Sequence, residues 1–559
     1  MALAGADNDE GYNWLRILFR CAAIVLGIAE TWARRWYMFD DGVSYLDMGD
    51  AYLRRDWHMA VNAIWSPLYS WLLGAAMKIL RPSAYWEFPV VHFVNFVVFL
   101  GALASFEFLL SALIDWHRKR KPSGENGLVS LPPWAWYLIG YSLFLWISFR
   151  LMKLEQPTPD MCVAALVYLA SGLVVRIRGG CTGWRNFVLL GVVCGFGYLA
   201  KTIMFPVSCV FLGVALFSVG HLRRGLPRVL VAAAIFLAIC SPLIFALSVA
   251  IGRPTFGESG KWNYMWFVDD LHFDTLPANT LMHPRNRIHE SPVAYEFARP
   301  IKGTFPLWYD PEYWSEGLKA HFDMKGQVSA LKLSAITYYN FLFLSEAGLV
   351  AGLIVLFCLG PGPRSSLQAV GENWHLLIPA VAALGAYSLI LVEARYVGPF
   401  ILLLWLGILS GVRIPNRCES RKLIIGAVLA MAITTAVPVA GSTVLDLANL
   451  RHESPVDWKV AQALRQMGIL PGDKVAYISL SPFGEFNWAR LARTQIVAMI
   501  EPRDVDKFWA ASPQVQREVV QAFARTEAKA IITSALPPCA STAAWTRLGD
   551  TDYYAYLLH

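Results

Sequence analysis

The sequence predicts an α-helical integral membrane protein with about eleven transmembrane helices, interfacial helices in its first exterior loop, and a small C-terminal α/β domain. Three observations predict it. The 559 residues are 56% hydrophobic and 16% charged, with a mean hydropathy of +0.44, whereas soluble domains carry about 25% charged residues. The apolar residues fall into runs near the ~20 residues that a helix needs to cross roughly 30 Å of hydrocarbon. The basic residues between those runs are unequally shared, which orients the chain.

The runs occupy 18–36, 90–114, 134–149, 161–175, 187–199, 204–219, 229–251, 336–359, 376–392, 397–412 and 423–444. Alternate connections read WHRKRK (116–121), RIRGGCTGWR (176–185), HLRRGLPR (221–228), PGPR (361–364) and RIPNRCESRK (413–422), and together hold 15 Lys or Arg. Positive charge of that density in short loops marks the cytoplasmic side. It also accounts for the net charge of +7 without a nucleic-acid partner. The stretch 34–89 holds six basic residues against this trend, but a loop that folds along the surface is a weak topology signal. The N-terminus is then cytoplasmic, and no cleavable signal peptide is expected, because MALAGADNDEGYNW is acidic and leads straight into the first span.

Three large pieces lie outside on this topology: the loop 37–89, the loop 252–334 and the segment 446–559. Residues 1–445 are expected to form the membrane domain. In 446–559, short apolar runs such as KVAYISL and AKAIITSAL alternate with helical patterns such as DWKVAQALRQMG, which indicates a separate α/β domain. No repeat is visible, which counts against an inverted-repeat transporter. The nine cysteines show no CxxC or Cys/His spacing for a metal.

The first loop opens with adjacent carboxylates, Asp40 and Asp41, followed by Gly42. Neighbouring residues point in different directions, so the pair divides its work: one faces a reacting centre while the other orients backbone or ligand. Beyond it, Tyr45, Met48 and Tyr52 form a helical stripe opposite Asp47, Asp50 and Arg54, and a second amphipathic helix follows from Pro67 to Leu80. Glu155 and Asp160 in KLEQPTPDM, Lys201 in GYLAKTIMFP, and Glu393 and Arg395 in LVEARYVGPF all fall on the same exterior face. Interfacial anchoring is the plain alternative for any one of them. Lys201 and Arg395 stand out because neither has an acid four residues away, so each is expected to await an anion such as a lipid phosphate.

These segments, FDDGVSYLDMGDAYL, WSPLYSWLLG, EQPTPDMCVAALVYLA, GYLAKTIMFP and ARYVGPF, resemble the C-type (GT-C) glycosyltransferases over roughly the first 450 residues. That family is polytopic and uses polyprenyl- or dolichyl-phosphate sugars; the protein O-mannosyltransferases and the aminoarabinose transferase acting on lipid A are members. The resemblance implies a bacterial inner-membrane enzyme that transfers a sugar from a polyprenyl-phosphate donor to a lipid, glycan or protein acceptor, with inversion. It implies Asp40 or Asp41 as the acid/base residue, Asp160 before Glu155 as the second-loop acid, and Lys201 and Arg395 on the lipid phosphate. Tyr45, Trp65, Tyr69, His92, Glu393, Tyr264 and Trp266 are the candidate substrate contacts. A divalent cation, Mg or Mn, bridging Asp40 and Asp160 is compatible with hard carboxylate ligands. The chain lacks the WWDYG-type motif and any β-trefoil insertion, which disfavours the oligosaccharyltransferase and trefoil-bearing subclasses. The competing readings are a transporter or flippase of a lipid-linked substrate, which requires polar groups deep inside spans, and a non-catalytic membrane scaffold.

Overall fold

The computed structural model describes residues 12–119, 128–271, 285–310, 313, 319–415, 417–448, 455–480, 486–534, 536–537 and 544–558. They divide into two compact units. The first comprises Met1–Arg35, His92–Gly257 and Gln327–Leu450, and the second Trp36–Val91, Glu258–Gly326 and Arg451–His559.

The first unit is a bundle of apolar helices, and each of the eleven apolar runs falls on one of them. They are Asn13–Ala33, Glu87–Lys119, Pro133–Trp146 with its continuation Ile147–Leu151, Asp160–Arg178, Trp184–Ala200, Met204–Ser218, Leu222–Ile251, Met324–Leu344 with Ala347–Cys358, Trp374–Ser388, Ala394–Leu409 and Cys418–Ala448. Among the described residues, four helices are long and apolar enough to cross a membrane by themselves, and a fifth if the Met324–Cys358 pair, bent by 69°, is one span. Packing depends on small residues where helices meet, because lipid tails offer no hydrophobic drive between spans. The sequence Gly191-x-x-x-Gly195 supplies such a stripe. A Cβ on Gly191 would stand 2.4 Å from the Ala232 carbonyl oxygen, and one on Gly195 would stand 2.7 Å from Ile239. The Trp184–Ala200 and Leu222–Ile251 helices therefore approach backbone to backbone.

Ionisable side chains also lie inside the apolar runs, away from the helix ends. Glu107, inside the second apolar run, accepts hydrogen bonds from Arg20 Nε at 2.8 Å and Tyr141 at 2.6 Å. Glu346, at the bend in the eighth, accepts from Thr435 at 2.8 Å. Glu30 bonds Thr443. Each carboxylate joins neighbouring helices through a local partner, which makes them interhelical polar ties and not a continuous polar path.

The second unit is built from all three large exterior pieces of the sequence reading. Its seven-stranded sheet contains β1 (Arg285–Glu290), β2 (Val293–Phe297), β3 (Lys474–Ile478), β4 (Gln495–Ile500), β5 (Ala528–Thr533), β6 (Thr546–Arg547) and β7 (Tyr554–Leu557), in the order β1-β2-β4-β3-β5-β7-β6. The central strands β4, β3 and β5 are parallel and nearly all apolar, as a sheet buried on both faces requires. The expected division at residue 446 therefore differs from the observed one. The C-terminal segment does not close its sheet alone, because β2 from the 252–334 loop pairs onto β4 and β1 pairs onto β2.

The first-loop helices Asp40–Arg54 and Pro67–Leu80 join the same unit. They cross at Gly49 and Gly74, where a Cβ on Gly49 would lie 2.8 Å from the Ser70 carbonyl oxygen. Asp47, expected on a solvated face, is 3% exposed. It accepts from the Thr304 backbone at 2.6 Å and from the Thr304 hydroxyl at 2.9 Å. The reason is Arg490, 443 residues away. Its guanidinium, 6% exposed, reaches Asp47 at 2.7 Å, Asp50 at 2.8 Å and Glu87 at 2.6 Å. Burial alone would push this guanidinium down, but the three carboxylates hold it above its ordinary range and keep it charged. One arginine thus ties together the first loop, the start of the Glu87–Lys119 helix and the C-terminal segment.

Removing one member of a buried ion network leaves uncompensated charge and costs about 3–5 kcal/mol. Arg490→Met is therefore expected to lower the first unfolding midpoint of the purified full chain by roughly 10 °C, with Arg490→Lys between the two. Thermal unfolding followed by tryptophan fluorescence checks this, and an unchanged midpoint would show that the network is dispensable.

Candidate active site

In the first unit the structure brings together four of the charged residues singled out from sequence. Asp160 is the first residue of the Asp160–Arg178 helix, preceded by Pro157 and Pro159. A carboxylate suits that place because a helix N-terminus carries partial positive charge. The link before it is pinned by Asn95, whose amide donates to the Leu154 and Gln156 carbonyls at 3.2 Å. Lys201 ends the Trp184–Ala200 helix in an extended conformation, and Arg395 sits in the first turn of the Ala394–Leu409 helix.

These helix ends meet at Asp160, whose side chain is 3% exposed. One carboxylate oxygen takes Lys201 Nζ at 2.7 Å; the other accepts from Thr158 at 2.9 Å and lies 3.9 Å from Arg395 Nε. Arg395 Nε donates to Glu393 at 2.8 Å and its Nη2 donates to the Tyr396 hydroxyl at 3.2 Å. The Tyr396 ring is the floor of the group, with Lys201 Nζ 3.3 Å and the Arg395 guanidinium 4.9 Å from its centroid. Such faces attract cations.

Lys201 and Arg395 were expected to stand without an acid, and the structure corrects this. Both are paired: Lys201 through a residue 41 positions away, and Arg395 through its neighbour but one. The two pairs are unequal. Asp160 is buried, whereas the Glu393 side chain is 38% exposed. The Arg395 side chain is itself only 12% exposed, so the difference lies in the carboxylates: Glu393 reaches solvent, whereas Asp160 is enclosed. Glu155 is held elsewhere, 3.0 Å from Arg34, which also reaches Asp446 at 2.7 Å. That cluster joins the end of the first helix, the 152–159 link and the end of the Cys418–Ala448 helix, so Glu155 serves as a structural tie.

Among the described residues no group of three or more His, Cys, Asp or Glu side chains is placed to hold a metal ion. The surroundings of Asp160 are themselves cationic, so a divalent ion there would have to displace Lys201. The donor set at Asp160 does not fit such an ion, and no step below passes through one.

In the second unit Asp40 and Asp41 form the first turn of the Asp40–Arg54 helix, 7% and 8% exposed. Tyr45, Trp65 and Tyr69 pack edge to face, with ring centroids 5.4 and 5.2 Å apart. All three are buried, and their rings pack the first-loop helices against one another. The aromatic run PLWYD behaves likewise: the Tyr309 carbonyl accepts from Asn62 at 3.0 Å and Trp65 Nε1 at 3.2 Å, and its hydroxyl donates to Met59 at 2.6 Å. Tyr264 and Trp266, on the Ser259–Phe267 helix, keep partly exposed rings. His92 is buried near the start of the Glu87–Lys119 helix, in the first unit.

Solved structures share this architecture. ArnT from Cupriavidus metallidurans in the apo state matches with a TM-score of 0.54 at 14% identity, over 98% of either chain. The same protein bound to undecaprenyl phosphate gives 0.56 at 13% identity, again over 98% of both. The fold is that of the GT-C glycosyltransferases. The oligosaccharyltransferase of Archaeoglobus fulgidus in complex with Zn and sulfate gives 0.50 at 13% identity, over 92% of this chain and 67% of that one. No protein-family model and no curated protein matches the sequence. The GT-C likeness reaches well past the first 450 residues that carried the resemblance in sequence, and takes in the C-terminal segment.

If Lys201 and Asp160 form a fixed pair within this GT-C bundle, they are energetically coupled. Lys201→Met strands a buried carboxylate and is expected to cost about 3 kcal/mol. Asp160→Asn in the same chain should recover part of that loss, with a coupling of roughly 1–3 kcal/mol in a double-mutant cycle of unfolding free energies. Strictly additive losses would contradict the pairing.

Proposed function

We propose that this chain is a membrane glycosyltransferase that moves a sugar from a polyprenyl-phosphate donor to an extracytoplasmic lipid, glycan or protein acceptor, with inversion at the anomeric carbon. The observation that carries the reading is the Asp160–Lys201–Arg395–Glu393 group at one end of a GT-C helical bundle. A charge buried among apolar helices is costly, and a catalyst of phosphate departure needs cations held ready where negative charge grows. The bound undecaprenyl phosphate of ArnT supports a lipid phosphate as the class of ligand.

Arg395 is the phosphate contact. It releases Glu393, and at about 4 Å from a phosphate it gains roughly 4 kcal/mol at an effective dielectric near 20. Lys201 stays on Asp160 and positions the Tyr396 floor, so it is a positioning residue. Glu393 then acts as a place-holder that keeps Arg395 neutralised when no donor is present. For the acceptor, Asp40 takes the proton of the attacking hydroxyl as general base, and Asp41 orients the first turn of its helix. The positive-inside charge distribution supports a reaction on the side opposite the N-terminus.

The test uses purified full-length protein, radiolabelled polyprenyl-phosphate sugars and a membrane extract as acceptor. Arg395→Gln should lower transfer about 10²-fold or more, and Asp40→Asn should lower it by 10²- to 10⁴-fold. Glu393→Gln should keep transfer and lower KM for the donor, because it removes the competing carboxylate. Parent-like transfer by both Asp40→Asn and Asp41→Asn would sink the enzymatic reading.

A further inference from the structure

At the other end of the Asp160–Arg178 helix, about 24 Å from Asp160 at 1.5 Å per residue, a cavity of about 240 Å³ opens between that helix and the Glu87–Lys119 helix. We propose that it is a second phosphate-binding site, one that takes the phosphodiester of a phospholipid headgroup from the cytoplasmic leaflet.

The lining is arranged by helical spacing. Phe108, Ala112, Asp115 and Lys119 recur every three or four residues on one face of the first helix, and Arg176 stands on the facing side of the second. The floor is apolar and the rim is charged. The Arg176 guanidinium lies 5.5 Å from the Phe108 ring centroid, so its charge stands beside the apolar floor. Neither Lys119 nor Arg176 forms an ion pair with a carboxylate among the described residues, in contrast to Lys201, Arg395 and Arg490. Their positions follow from the positive-inside rule, but that rule asks only for charge in the connections and does not account for a cavity between two helices that both cations line.

Charge count narrows the ligand. Asp115 shares the rim with the two cations, leaving one net positive charge, which matches a phosphodiester monoanion and disfavours a polyphosphate. A headgroup that also carries a hydroxyl or ammonium group gives Asp115 its partner, and the apolar floor receives the start of the acyl chains. Basic pockets between helices on the cytoplasmic side bind lipid headgroups in this way. Free phosphate shares the anionic chemistry but cannot use the floor.

The experiment is native mass spectrometry of the full chain released from detergent after equilibration with phosphatidylglycerol or phosphatidylcholine, with and without millimolar inorganic phosphate. The parent should retain one more phosphatidylglycerol than Lys119→Gln/Arg176→Gln, whose affinity should fall about tenfold. Cys181→Trp, which fills the cavity from the adjoining turn, should lose the same lipid without altering charge at the rim. Matching unfolding midpoints of the lipid-free proteins establish that the variants fold. Displacement of the lipid by inorganic phosphate would assign the site to soluble phosphate, and no displacement assigns it to the membrane. Equal lipid retention by the parent and both variants would overturn the proposal.

Discussion

A charge buried among apolar helices must be matched by an opposite charge, and the first unit meets that demand at Asp160. The carboxylate receives Lys201, Thr158 and, at longer range, Arg395, and in doing so fixes three helix ends relative to one another. Lys201 and Arg395 in turn share the face of Tyr396. The group carries no net charge as it stands, which makes it tolerable in an apolar setting. It has one solvent-exposed member in Glu393, the carboxylate that the proposed lipid phosphate would replace.

The second unit obeys the same rule with a different result. Arg490 is surrounded by three carboxylates, all from segments that are far from it in the chain. Here every partner except Asp50 is deeply buried, so there is no member to exchange, and the network acts as a fastener. Because of it the first loop is not an independent surface loop, and the 252–334 loop is not a passive connection: one contributes helices and the other contributes Thr304 and two sheet strands to the same body.

The helical bundle was legible in sequence because span length and apolar character are local properties. Each apolar run fell on a helix, and the glycine spacing at Gly191 and Gly195 stands in the sequence as a visible mark of close packing. The ion pairs were not legible. Lys201 looked unaccompanied because its partner comes from another helix, and Asp47 looked solvated because its partner lies 443 residues away. Single carboxylates inside apolar runs, Glu30, Glu107 and Glu346, were present in the sequence but were outweighed by the charges at the ends. Tyr45, Trp65 and Tyr69 illustrate the same limit from the opposite side: an aromatic residue suits a sugar or a core equally well, and only burial decides between them. At the site, the topology read from sequence puts Asp160, Lys201, Glu393 and Arg395 on one face, but their convergence needs coordinates because it depends on how three separate segments pack.

The central claim is that Arg395 exchanges its neighbour's carboxylate for a lipid phosphate while Lys201 stays on Asp160. A structure of the full-length protein with an isoprenoid phosphate bound tests this most directly. The account predicts the phosphate within about 4 Å of the Arg395 guanidinium, Glu393 turned away from it, and the Lys201–Asp160 pair intact. An isoprenoid phosphate bound elsewhere, with Arg395 still on Glu393, would contradict it.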